Sequence, residues 1–482
     1  MRPGTRGHLL VGSAYAGLVL RAPLVGLAQA VATYRANWRA RCHPLPLHPA
    51  IAAQERVLVI APHPDDEILA TGGLLQRAAA AGARTSVVYL TSGDGFAFAA
   101  YSELRGIAGL GRASRLLGVA RQREARAALS ELGIAPECAH FFGFPDGSLR
   151  DIWLSGWDPA RPIRSPYTRA THVPYEDART AGEPHGAPAL LGALEAVLRA
   201  ERPTRIYVPH PLDDHPDHWT AYCYTVAALR EAEWALPRPA VYGYLVHRGD
   251  WPIPQGGWER LSLAPPAHLI DQPWEALPLT PDERAIKRRA LIRHRSQWRC
   301  MGRFLRSFLR TNELFVPLSP APAADASLGL AAGAAPGVFR LRHPRSDAPL
   351  RASVPAADLL ELAIRREGER LEGVLRLAAP VSRGVTYHVA IHPLRPCEPP
   401  LHVTWRLGAW DVPQPTALTP IDERSLELQL RAAALDESRP LLVTTWTQLG
   451  PTSIDRITVE LAPVRARAAV ESPPPSRAAG AD

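Results

Sequence analysis

Two short runs combine the side chains that hydrolytic metal chemistry uses, His63-Pro64-Asp65-Asp66-Glu67 and His215-Pro216-Asp217-His218. A divalent ion such as zinc takes neutral imidazole and carboxylate ligands and, in catalytic sites, keeps one position open for water. His63 and Asp66 can supply two ligands. Asp65, pointing another way, is free to take a proton from the metal's water. The plainer alternative is an acidic turn capping the next helix, because Asp is a common N-cap. His215 and His218 are three residues apart and can share one face of a turn, so that one binds metal while the other faces the substrate. Here the plainer alternative is a polar loop with surface histidines. Both runs directly follow an apolar strand, which argues against accident.

The elements around them explain how they would be placed. Val57-Leu58-Val59-Ile60 is a β-branched apolar run and reads as a buried strand. Pro62 and Pro64, which lack an N–H, end its ladder. Thr71-Gly72-Gly73 follows, with helix-like spacing of Leu69, Leu74 and Leu75. The second run follows the strand Arg205–Val208 and precedes a helix over 219–233. Strands are also expected at 85–91, 139–142 and 240–246, and helices at 69–81, 118–132, 189–199, 219–234 and 282–310. This alternation predicts an α/β fold, Rossmann-like, with a mostly parallel sheet and helices on both faces. Both runs then lie past the carboxyl ends of strands, where such sheets bind ligands. The stretch 96–109 reads as a loop. The stretch 151–187, rich in Pro, Arg and Tyr and without periodicity, is expected to form a substrate wall, with His172, Tyr175 and His185 as rim residues rather than ligands.

The pair HPDDE (63–67) and HPDH (215–218) resembles the PIG-L/LmbE family of zinc-dependent N-deacetylases, which remove acetyl groups from amino sugars. Family-like pieces recur in order: Leu90-Thr91-Ser92-Gly93-Asp94-Gly95, Arg121-Gln122-Arg123-Glu124, Phe144-Pro145-Asp146-Gly147, and Lys287, Ala290, His294, Ser296 and Gln297. The resemblance covers about Arg56 to Asn312. It implies Zn2+ held by His63, Asp66 and His218, with Asp65 as general base. It implies that His215 stabilises the oxyanion and protonates the leaving amine. Three protein ligands with an open position is the catalytic zinc pattern. Asp146 and Arg121 are expected at the substrate, against a plain Pro-Asp-Gly turn for the first and a solvated helix charge for the second.

At 482 residues the chain should hold more than one domain, and its 46% hydrophobic content allows full cores. Expected are an N-terminal apolar and basic segment (1–50), the deacetylase-like domain (51–316), a Pro/Ala/Gly linker (317–336), a domain of short strands reading as an antiparallel β-sandwich (337–465), and a disordered tail (466–482). In the sandwich, Trp405, Trp410 and Trp446 read as core, with a sugar-stacking platform as the alternative. The N-terminal segment reads as a signal with Arg21 badly placed behind its apolar run, as a spanning helix that would have to bury Arg21, as a helix lying in a membrane interface, or as a packed helix. A membrane surface is thus a partner to test, alongside the amino-sugar substrate. The expected location is cytoplasmic, peripheral to the inner membrane face if that segment binds lipid.

The net charge of +8 is carried almost wholly by arginine, since Lys287 is the sole lysine. With no nucleic-acid motif beside it, the charge does not argue for a nucleic-acid partner. Five widely spaced cysteines without a CxxC pair argue against a cysteine zinc site and a disulfide framework. The function expected is removal of an N-acetyl group from an amino sugar by metal-activated water. The alternatives are an inactive glycan- or membrane-binding protein on the same fold, and a metal phosphoesterase, which would need ligands for two metals.

Overall fold

The computed structural model describes residues 44–96, 110–232, 238–249, 251–266, 269–318, 338–342, 351, 354–394, 400–406, 418–431, 435, 440–450 and 452–461. The expected N-terminal segment up to 43, nearly all of the 96–109 loop and of the linker, Trp410 and the tail lie outside these residues. Among the described residues no helix is long and apolar enough to cross a membrane.

The first core is built on strands β1 (Arg56–Ala61), β2 (Arg84–Thr91), β3 (Ala139–Phe144), β4 (Arg205–Pro209), β5 (Ala240–Tyr244), β6 (Glu275–Pro278) and β7 (Asn312–Pro317). They form one sheet in the order β3-β2-β1-β4-β5-β7-β6. The first five are mutually parallel. β7 and β6 close one edge antiparallel, an edge the periodicity of the sequence does not reveal because both strands are short. The helices are α1 (Asp66–Ala80), α2 (Leu110–Glu131), α3 (Leu149–Ser155), α4 (Ala187–Glu201), α5 (Pro216–Ala232), α6 (Pro281–Arg293) and α7 (Arg295–Arg306). The single helix expected over 282–310 is two, separated at His294, whose backbone (φ −73°, ψ 61°) is not helical. Val57 to Ala61 are almost fully buried, as a parallel strand covered on both faces must be. β1 pairs with β2 on one side and β4 on the other, so the chain order reverses at β1/β4. The two histidine-bearing loops leave these neighbouring strands, which is where a doubly wound sheet opens a crevice.

The sole lysine explains Gly72 and Gly73. Lys287 Nζ donates to Leu69 O at 2.8 Å and to Glu313 Oε1 at 2.7 Å. Glu313 accepts in return from Gly73 N (2.7 Å) and Leu74 N (2.9 Å). A buried ion pair is thereby docked against the middle of α1. A Cβ at Gly72 would lie 3.1 Å from Lys287 Cγ, and one at Gly73 only 2.2 Å from Leu279 Cδ2. The absence of a side chain at both positions is what lets Lys287, Glu313 and Leu279 approach.

The second core lies between two antiparallel sheets, β13-β14-β10-β9-β8 and β12-β11-β15-β16. Their strands are β8 (Val338–Arg342), β9 (Leu359–Glu367), β10 (Arg370–Leu377), β11 (Val385–Pro393), β12 (Leu401–Arg406), β13 (Leu418–Asp422), β14 (Ser425–Arg431), β15 (Leu441–Leu449) and β16 (Thr452–Leu461). Leu362, Ile364, Leu375, Val389, Ile391, Val443 and Ile457 fill the space between them. This is the expected antiparallel sandwich. Trp446 is buried but is not part of that filling; its ring stacks on His388 at 4.6 Å. The four-stranded sheet faces the first core: Trp219 Nε1 donates to Thr458 Oγ1 (2.8 Å), Arg230 Nε to Glu460 Oε1 (2.6 Å), and His392 stacks on Trp153 at 4.2 Å.

Removing Glu313 would leave Lys287 Nζ buried with only Leu69 O as a partner. Glu313→Ala is expected to cost about 3–5 kcal/mol of stability, read by urea unfolding of the full chain. A loss under about 1 kcal/mol, the size of an exposed pair, would show that the pair does not hold α1.

Candidate metal centre

At the end of β1 the chain makes a tight turn that carries His63, Asp65 and Asp66. Asp65 occupies the N-cap position of α1, yet its side chain caps nothing, and its backbone is in a strained region with φ 137°. The helix-capping alternative for this carboxylate therefore does not hold. Strain of this kind, of order 1–3 kcal/mol, persists only where surrounding bonds over-determine it. Those bonds are present. Asp65 N donates to Glu67 Oε2 at 2.9 Å, Glu67 Oε1 faces His294 Nε2 at 3.0 Å, and Asp65 Oδ1 lies 3.3 Å from Arg121 NH2. Arg121 is 3% exposed and also donates to Gly93 O (3.0 Å) and Pro64 O. Its guanidinium, expected to reach substrate, is engaged with the backbone and with Asp65. Burial raises the Asp65 carboxyl to about 6, with Arg121 pulling the other way.

The two runs converge. His63 Nδ1 lies 3.3 Å from Asp66 Oδ2 and 3.3 Å from His218 Nε2, and His218 Nε2 lies 3.1 Å from Asp66 Oδ2. Three donors bound to one four-coordinate zinc at about 2.0–2.1 Å stand about 3.3 Å apart, so this donor set fits such an ion. Behind each imidazole sits a carboxylate. His63 Nε2 is 3.2 Å from both Asp146 Oδ1 and Asp217 Oδ2, and His218 Nδ1 is 3.3 Å from Asp213 Oδ2. A carboxylate behind a ligating histidine fixes its orientation and raises its basicity. The field follows. Burial lowers the His63 pKa, but Asp146, Asp217 and Asp66 more than reverse this and carry it well above the usual range. Burial likewise opposes, and Asp66 and Asp213 override, at His218, raised to about 9. The volume between these groups is one in which positive charge is stabilised.

His215 completes the ring of imidazoles, with its centroid 4.8 Å from that of His63 and 5.1 Å from that of His218. Its Nδ1 accepts from Asp217 N at 3.2 Å, so the neutral ring carries its proton on Nε2. His63, His215 and His218 can offer donor atoms within 4.8 Å of one another, as can Asp66, His218 and His247, and His63, Asp146 and Asp217. Asp146 thus stands behind His63, and its Oδ2 accepts from Gly95 N at 2.9 Å. His247, just past β5, packs edge-on to His218 at 4.8 Å and stacks on Phe304 of α7 at 5.4 Å.

Sequence reasoning missed Asp213, Asp217 and His247 as parts of the site. Asp213 and Asp217 stood within or beside the quoted run, but spacing cannot say which carboxylate backs which imidazole. His247 had the signal of a histidine at a strand's carboxyl end. Of the expected rim residues, Tyr175 and His185 are instead buried inside the fold. Tyr175 donates to Asp94 Oδ2 (2.5 Å), and burial raises that carboxyl to about 7. His185 is buried against Ile163 O (3.1 Å), and His172 stands outside the cluster.

Residues 58–229 match the family described as PIG-L, GlcNAc-PI de-N-acetylase. A protein of Mycobacterium sp. (strain KMS) named 1D-myo-inositol 2-acetamido-2-deoxy-alpha-D-glucopyranoside deacetylase is 32% identical over 188 residues, 38% of this chain and 53% of that one. A protein of the same name from Corynebacterium urealyticum is 31% identical over 267 residues, 52% of this chain and 73% of its own. The chain therefore spans about half the length of the mycobacterial relative and about three quarters of the corynebacterial one. Among solved structures, a deacetylase–bog complex from teicoplanin biosynthesis superposes with a TM-score of 0.36 at 20% identity, covering 54% of this chain and 97% of that one.

Asp213→Asn would leave His218 Nδ1 facing an uncharged amide. It is expected to weaken zinc binding about 10–100-fold, measured by competition with a chelating indicator. An unchanged affinity would remove Asp213 from the site.

Proposed function

The chain belongs to the PIG-L family, and on that premise we propose that it is a zinc-dependent N-deacetylase of an N-acetylated amino sugar, such as an N-acetylglucosamine conjugate. The observation that carries the proposal is the triangle of His63 Nδ1, Asp66 Oδ2 and His218 Nε2, with edges of 3.1–3.3 Å. His63, Asp66 and His218 would hold the ion. When bound, zinc supplies a Lewis acid and makes water acidic enough to react at neutral pH.

The chain's own groups account for the remaining steps. Asp65, a carboxylate outside the triangle, takes the proton of the attacking water. Arg121 and the strained turn fix the direction in which its oxygens face. His215, with its proton on Nε2, donates to the amide oxygen as charge develops there, which is where a fixed donor gains most. The proton that Asp65 takes from the water is then the one available to the departing amine, so the step balances without His215 giving up its own. Asp146 and Asp217 hold the His63 ring by its outer nitrogen, so that Nδ1 stays turned to the ion.

Purified full-length protein is expected to contain about one zinc per chain and to release amine from N-acetylglucosaminyl-inositol or diacetylchitobiose. Asp65→Asn should keep its zinc and lose about 10²–10⁴-fold in kcat. His218→Ala should lose zinc. Full turnover by Asp65→Asn would remove it as the base, and unchanged metal content in His218→Ala would refute the ligand set.

A further inference from the structure

The loop between β4 and α5 carries His215 and His218, and residues of the C-terminal sandwich grip it from outside. Arg351, 4% exposed, donates through NH2 to Asp214 Oδ1 (2.9 Å) and through Nε to Asp455 Oδ1 (2.6 Å). Asp455 is itself fixed on β16, accepting from Leu359 N at 2.8 Å. The next residue, Arg456, donates to Asp213 O (2.5 Å) and lays its guanidinium over the ring of Trp219, 4.6 Å from the centroid. Asp214 also accepts from Gly249 N (2.7 Å) and Arg248 NH1 (3.1 Å), which ties the loop to the end of β5. The sandwich thus holds residues 213, 214 and 219, which bracket both histidines. Asp213 passes the restraint inward: its Oδ1 accepts from His215 N (3.0 Å), and its Oδ2 faces His218 Nδ1.

We propose that the sandwich is a positioning element of the metal centre, acting through Arg351 and Arg456 on Asp213-Asp214, and not a separable module. Its effect on metal binding rests on the function proposed above; its effect on loop order does not. The physical reason is the planar guanidinium. One fork spans a carboxylate on the loop and another on β16, so it fixes their separation and relative angle, which a point charge cannot do. Docking alone does not require this. Arg230–Glu460 and Trp153–His392 join the same two bodies away from the loop.

The test compares full-length wild type, Arg351→Ala, Arg351→Lys, Asp214→Asn and Arg230→Ala. Zinc affinity is measured by indicator competition, and amide hydrogen exchange over 210–219 is measured in metal-free protein. Arg351→Ala and Asp214→Asn are expected to bind zinc about 10–100-fold more weakly and to lose protection at the Asp213 and Asp214 amides, which donate to His210 O and His247 O. Arg351→Lys should recover only part of this. Arg230→Ala, which breaks an interface ion pair elsewhere, should match wild type in both readouts. Equal effects of Arg351→Ala and Arg230→Ala, or loop protection unchanged in Arg351→Ala, would overturn the proposal. If wild type takes up no zinc, the functional reading fails and hydrogen exchange alone decides this one. If Arg351→Ala does not fold, Asp214→Asn carries the test from the loop side.

Discussion

The structure depends on bringing His63 Nδ1, Asp66 Oδ2 and His218 Nε2 within 3.1–3.3 Å of one another. Two imidazoles at that distance repel if both are protonated, and negative charge around them offsets that repulsion and favours a cation between them. Asp146 and Asp217 supply that charge behind His63, and Asp213 behind His218. The parallel register of β1 on β4, with Val57 opposite Arg205 and Val59 opposite Tyr207, sets where the two loops begin. Slipping one strand by a single residue would reverse which side chains face each way and separate the donors.

Rigid supports keep the first loop in place against its own strain. Asp65 sits at φ 137° because Glu67, itself facing His294, takes its N–H, and because Arg121 is bound to Pro64 O and Gly93 O. The break at His294 between α6 and α7 is part of this arrangement: it places an imidazole against Glu67 where a continuous helix would run past. Lys287 and Glu313 fix α1 behind the turn. The second loop receives its restraint from the segment after β5 through Asp214 and Gly249 and from β16 through Arg456. The two halves of the site are thus stiffened by different parts of the chain.

Much of this was legible beforehand. The runs at 63–67 and 215–218, the strands before them and the helices after them follow from residue type and period, and β1 to β5 lie within a few residues of their expected places. The sandwich was legible for the same reason, since short alternating strands between Gly and Pro turns have few other folds. The antiparallel edge β7-β6 was not, because four to six residues carry too little pattern to separate strand from coil. Arg121 read as a charge for substrate because periodicity places it on a helix but cannot say what that face meets.

Sequence alone singled out the two donor-bearing runs, the strands that present them and the change from alternating strands and helices to short strands, because each is written in local residue type and spacing; which of His215 and His218 faces the ion is not. Only the tertiary structure decided which carboxylate backs which histidine, that the sole lysine is a strut inside the core, and that the sandwich reaches the second loop through Arg351 and Arg456. Apart from Asp213 and His218, which are near neighbours in the chain, those are contacts between residues tens to hundreds of positions apart. Their energies depend on burial and on the direction of a fork or a ring, which no stretch of sequence records by itself.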